Sequence, residues 1–165
     1  MTVIGLDHVS VSCADLDRSL AFYHHLLGIP IRDRGRIQDG STAEILGVDH
    51  VTAGYADLDL GDGRTLELLA YEEPAGTPLA VEVHRPGAGH LSLRVEGIDA
   101  MCDRLQTAGH ATASRAPVTI TEPGFWDGAR VLYVSDPDGA VVELIQRPAR
   151  AGRVRRSLRD SPPRP

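Results

Sequence analysis

The chain has 165 residues, 42% of them hydrophobic and 24% charged, with a formal net charge of −6. That is the composition of a globular protein with one sizeable core, or of two small modules sharing one. It excludes a membrane span, for which about 18 consecutive apolar residues are needed, and an acidic body disfavours nucleic acid as a partner. The acidity is concentrated: residues 149–165 carry six arginines and one aspartate, +5 in all, which leaves the body at −11. This Pro-, Ser- and Arg-rich tail reads as disordered. All 17 basic residues are arginine. Without lysine there is no Schiff-base chemistry and no lysine general base. The GxSxG elbow and the GxxxxGK[ST] phosphate loop are also missing. The start, "MTVIGLDH", lacks the basic and apolar regions of a signal peptide, so a cytoplasmic protein is expected.

Residues 3–12 read as a strand, with Val9 and Val11 on one face and His8, Ser10 and Ser12 on the other. Asp15 is a candidate N-cap for an amphipathic helix (Leu16, Leu20, Tyr23, Leu27) that stops at Gly28. Residues 29–37 predict a short strand, and 40–47 a loop or helical turn. Residues 49–61 and 64–71 predict two strands joined by a tight turn at Gly61-Asp62-Gly63. A Pro- and Gly-containing connection follows over 72–87, with a short helix expected around 78–84.

The order then restarts. Residues 88–97 predict a strand with Leu91, Leu93 and Val95 on one face and His90, Ser92 and Arg94 on the other. Residues 98–109 predict a helix closed by Gly109, and 110–117 a short edge strand. Residues 128–136 and 139–147 predict two strands joined by the turn Asp136-Pro137-Asp138-Gly139. A β-α-β-β-β unit is thus written twice, over about 3–73 and 87–148. The fold class is α+β, two tandem βαβββ modules whose curved sheets enclose a metal-binding cleft, within one domain of residues 1–148. Cys13 and Cys102 form no CxxC and read as buried reduced thiols.

The repeat aligns His8 with His90, and Glu67 in "LELL" with Glu143 in "VELI". In an alternating strand the apolar neighbours of each glutamate face away from it. A carboxylate in a half-enclosed cleft is costly unless something positive satisfies it. Two imidazoles and two carboxylates suit one divalent ion: Zn, Ni, Co, Mn or Fe. Either residue type alone is ordinary on a strand; the coincidence of two pairs at equivalent places carries the reading.

The stretches "LDHVSVSCADLDRSLAFYHHLLGI", "LELL", "GHLSLRVEGIDA" and "DPDGAVVELIQ" resemble the vicinal oxygen chelate superfamily. Its members include glyoxalase I, methylmalonyl-CoA epimerase, extradiol dioxygenases and the fosfomycin- and bleomycin-resistance proteins. The resemblance spans residues 3–148 and implies metal ligation by His8, Glu67, His90 and Glu143. Four protein ligands imply a glyoxalase- or epimerase-type isomerase or lyase. Such an enzyme moves a proton α to the carbonyl of a small metabolite through a metal-bound enediolate. Glu143 or Glu67 is the implied base. His50 stands where the epimerases carry a second glutamate, a departure that still supplies an acid–base group near neutral pH; Glu44 is a weaker alternative. Trp126 and Phe125 are expected to wall the substrate pocket. His24, His25, His84 and His110 read as surface or loop residues. The alternatives are a ferrous extradiol-type dioxygenase and a binding protein that sequesters a drug or metabolite without turnover. A homodimer is expected, with the cleft formed within one chain or between two.

Overall fold

A computed structural model describes residues 2–149 apart from Asp62. The basic tail from residue 150 lies outside them. Two four-stranded sheets are built in the same order. The first contains β1 (His8–Ser12), β2 (Ile31–Gln38), β3 (Thr52–Asp59) and β4 (Thr65–Glu73), arranged β1-β4-β3-β2. The second contains β5 (Leu91–Arg94), β6 (Val118–Thr119), β7 (Arg130–Ser135) and β8 (Val141–Gln146), arranged β5-β8-β7-β6. In each, the first strand runs parallel to the last and the remaining pairings are antiparallel. The duplicated βαβββ architecture expected from the sequence is therefore present.

The first helix is α1 (Leu16–Leu20), and the Asp15 carboxylate caps it by accepting from the Arg18 N–H. It continues as a π-helical turn, Ala21–Leu26. The wider turn lets the consecutive residues Phe22 and Tyr23 both enter the core, at 1% and 0% exposure. α2 (Ser41–Leu46) lies between β2 and β3, and α3 (Ile98–Thr107) follows β5. α3 buries Ile98, Cys102 and Leu105, one face at helical spacing.

One apolar core joins the modules. It takes Leu20, Phe22 and Tyr23 from the first helix, Leu66 and Leu68 from β4, Ile98 and Leu105 from α3, and Leu132, Val142 and Leu144 from β7 and β8. A buried polar tie crosses the same junction. The Tyr23 hydroxyl donates to Asp136 Oδ2 at 2.9 Å, while Asp136 Oδ1 accepts from the N–H groups of Asp138 and Ala140. Burial and the adjacent Asp136 carboxylate push the Tyr23 phenol far above its usual range. Cys13 and Cys102 are buried free thiols, and burial raises both pKa values.

Several local expectations are corrected. The helix expected around 78–84 does not form; the connection is irregular, with turns only, because Pro78 and the glycines of this stretch supply no continuous helical ladder. The first strand is confined to His8–Ser12 rather than 3–12, since β4, its only partner, pairs no earlier than His8↔Thr65. Residues 110–117 make only an isolated bridge, Thr112↔Val134, and the edge strand forms later as β6. β5 begins at Leu91, leaving His90 just ahead of it.

Candidate metal and substrate face

Strand alternation places Glu67 and Glu143 on the side of each sheet turned away from the core. Leu66 and Leu68 flank Glu67 and are fully buried in the core; Val142 and Leu144 do the same around Glu143. Register sets the neighbours. Across the first sheet, Ser10, Glu67, Asp57 and Asp33 form one row. Across the second, the corresponding row is Ser92, Glu143 and Tyr133.

In the second module His90 Nε2 lies 3.5 Å from Glu143 Oε2, and the His90 ring packs 5.3 Å from that of Tyr133. Glu143 is 16% exposed and His90 37%. Burial and then the Glu143 charge raise the Tyr133 pKa. In the first module the His8 Nδ1 meets Asp7 Oδ1 at 2.8 Å, a contact that orients the ring. That hydrogen bond is the main cause of a raised His8 pKa, with the nearby Glu67 charge also contributing. Asp57 is pushed above the usual carboxylate range, first by burial and then by the Glu67 charge. Tyr55 donates to Asp33 at 2.9 Å on the same face.

The structure thus pairs His90 with Glu143 in the second module, while in the first His8 pairs with Asp7 and feels Glu67 only as a nearby charge. Among the described residues no group of three or more His, Cys, Asp or Glu side chains is disposed to hold one metal ion. β1 and β5 are both sheet edges, and they line the same hollows. Val9 lines one of about 740 Å³ with Leu91 and Leu93. Val9, Ser10 and Val11 line another, of about 290 Å³, with His90 and Leu91. The donor chemistry fits a divalent ion: hard carboxylates, imidazoles, and an Asp7 carboxylate that orients one ring. Holding one ion with all four requires the pairs to approach across the β1–β5 groove.

The other expected site residues fall elsewhere. His50 is 73% exposed, and its partner is Asp39, at 3.6 Å, rather than any candidate ligand. Glu44 is exposed on α2. His24 Nδ1 meets the Ile29 carbonyl, and His110 stacks on Phe22. Trp126 and Phe125 do sit together, with ring centroids 4.8 Å apart, on the loop before β7. Three further residues on the outer faces were not anticipated: Asp57, Tyr133 and Arg147. Each is two residues, or a multiple of two, from an anticipated position or opposite one in register, so alternation combined with pairing would have found them.

Comparison with known proteins agrees with this architecture. The sequence model of the Glyoxalase/Bleomycin resistance protein/Dioxygenase superfamily matches residues 5–144. A Vibrio cholerae protein named probable lactoylglutathione lyase is 29% identical over 143 residues, covering 84% of this chain and 88% of that protein. An Arabidopsis thaliana protein named Glyoxylase I 4 is 25% identical over 146 residues, covering 85% of this chain and 69% of its own. Among solved structures, a glyoxalase family protein from Bacillus cereus superposes with a TM-score of 0.78 at 20% identity, covering 90% of this chain and 97% of its own. The fosfomycin resistance protein FosX from Mesorhizobium loti superposes with a TM-score of 0.55 at 17% identity, covering 87% and 91%.

Proposed function

The chain belongs to the glyoxalase/bleomycin resistance protein/dioxygenase superfamily, and on that premise we propose that it is a divalent-metal-dependent isomerase, epimerase or lyase acting on a small carbonyl compound. The observation that carries this reading is the His90–Glu143 pair, 3.5 Å apart in the second module, with His8 and Glu67 at the equivalent positions of the first. The relatives named probable lactoylglutathione lyase support it. His8, Glu67, His90 and Glu143 would hold the ion. When bound, the ion supplies Lewis-acid stabilisation of negative charge developing on the substrate oxygens.

The protein's own residues do the rest. Glu143 is the base we assign, taking the proton α to the carbonyl and returning it. Its largely covered position beside His90 keeps water from competing. Glu67 is the alternative base, with Asp57 opposite it in register. A homodimer belongs to the same proposal. Among the described residues no helix is long and apolar enough to cross a membrane.

Elemental analysis of the purified protein beside a His8→Ala/Glu143→Ala double variant tests the reading. Near-stoichiometric Ni, Co, Zn or Mn, lost in the variant, is expected, together with solvent deuterium uptake at the α-carbon of a turned-over carbonyl compound. Iron with oxygen consumption on a catechol would replace the proposal by a dioxygenase. No metal in either protein after reconstitution would overturn it in favour of a binding protein.

A further inference from the structure

Arg147 directly follows β8, four residues beyond Glu143, and the alternation of that strand carried one residue past its end sets Arg147 on the Glu143 side. Ile145, between them, is 6% exposed and lies outside the core cluster that contains Val142 and Leu144. The Arg147 guanidinium sits 3.6 Å from the centroid of the Trp126 ring and 4.4 Å from that of Phe125. Its Nη1 donates to the Phe125 carbonyl at 2.9 Å.

Arg18, Arg32, Arg34, Arg36, Arg85 and Arg130 each pair with a carboxylate. Arg147 meets no carboxylate among the described residues, although the body is strongly acidic. Two aromatic faces hold the guanidinium in place, and among the described residues only its Nη1 donates a hydrogen bond. Phe125 and Trp126 are 79% and 46% exposed, so the frame is open to a ligand. A planar cation fixed in this way matches a bidentate oxyanion.

We propose that Arg147, framed by Phe125 and Trp126, is the subsite for an oxyanion, a carboxylate or a phosphate, carried on the apolar body of the substrate. The proposal rests on the reading of the Glu143 face as the substrate face. It narrows the substrate class. Arg147 lies four residues beyond Glu143, about 13 Å along an extended backbone. The reacting carbonyl and the anionic group therefore sit at opposite ends of an extended molecule, longer than a two- or three-carbon metabolite.

Trp126 is the chain's only tryptophan, so its fluorescence reports the subsite directly. Phenylacetate, phenyl phosphate and the neutral phenylacetamide are titrated against the full-length protein, with and without added metal. A saturable change with one or both anions is expected, with the amide at least about tenfold weaker. Preference between the two anions identifies the oxyanion. Arg147→Gln, which keeps an N–H donor for the Phe125 carbonyl, should weaken anion binding about tenfold and leave metal content unchanged. Arg147→Lys serves if that variant fails to fold; it should also weaken binding, because an ammonium offers no planar fork. Equal binding of amide and acid, unaltered affinity in both variants, or no fluorescence response to either anion would overturn the subsite. Anion binding that depends on Arg147 in a protein that takes up no metal would keep the subsite and overturn the metal-dependent reading alone.

Discussion

The two modules share a frame and differ in what they put on it. Both place a histidine at the head of the first strand and a glutamate in the last. Across from Glu67 the first module sets Asp57 and then Asp33; across from Glu143 the second sets Tyr133. Farther along, the first module has Leu69 and Tyr71 where the second has Ile145 and Arg147, the latter under Trp126 and Phe125. The shared positions are those that hold the fold and the candidate ligands. The divergent ones make one half of the face acidic and the other aromatic and cationic.

The sharpest way to break this comparison is to remove one glutamate at a time. Glu143→Gln should lower metal affinity by a hundredfold or so, about 3 kcal/mol, since the Tyr133 beside it cannot replace a carboxylate. Glu67→Gln should cost distinctly less, because Asp57 lies next to it in register. Metal retained after dialysis, measured for both variants, decides. Equal losses would mean that the acidic row does not contribute to ion binding.

The hairpin turns differ as well. The turn between β7 and β8 is anchored in the core by Asp136, 4% exposed, whereas Asp59, near the turn between β3 and β4, holds the exposed Arg32. Tyr23→Phe leaves the buried Asp136 carboxylate one donor short and should destabilise by about 1–3 kcal/mol in urea titration. Asp59→Asn should change the urea midpoint little, as expected for an exposed pair. A reversed order would place the junction between modules elsewhere.

The smallest expected effect concerns acid. The Arg130 hydrogen bonds hold Asp99 below its ordinary carboxylate value of 3.8. A carboxylate lowered on folding stabilises the native state fully above its unfolded pKa, and the gain disappears as pH falls through the folded value. Asp99→Asn should therefore unfold slightly earlier than the native protein at pH 7, with the two midpoints converging below pH 3.8. The Arg36–Glu72 pair does the same on the first sheet, where Glu72 is likewise lowered. A difference that persists at low pH would assign the effect to packing rather than charge.

Much of this was written in the chain. The repeat gave the βαβββ order, because periodicity within strands and helices is local and the turn residues punctuate it. That Glu67 and Glu143 lie on the face opposite their apolar neighbours could be read from those neighbours alone, since alternation fixes the side once the strand is known. The expected helix at 78–84 failed because apolar residues without a ladder of backbone hydrogen bonds or a face to bury do not hold a helix. The π-helical turn at Ala21–Leu26 was likewise invisible, since it answers the need to bury Phe22 and Tyr23 together against residues far along the chain.

Sequence by itself determined which side chains share a face within each module, because that depends on spacing of two or three residues. Only the tertiary structure decided what lies across from them. It set Asp57 beside Glu67, tied Tyr23 to Asp136, turned the β1 and β5 edges onto common hollows, and laid Arg147 against Trp126. Those contacts join residues from 10 to more than 100 positions apart. They are fixed by strand register and by the packing of one module on the other, which no local pattern encodes.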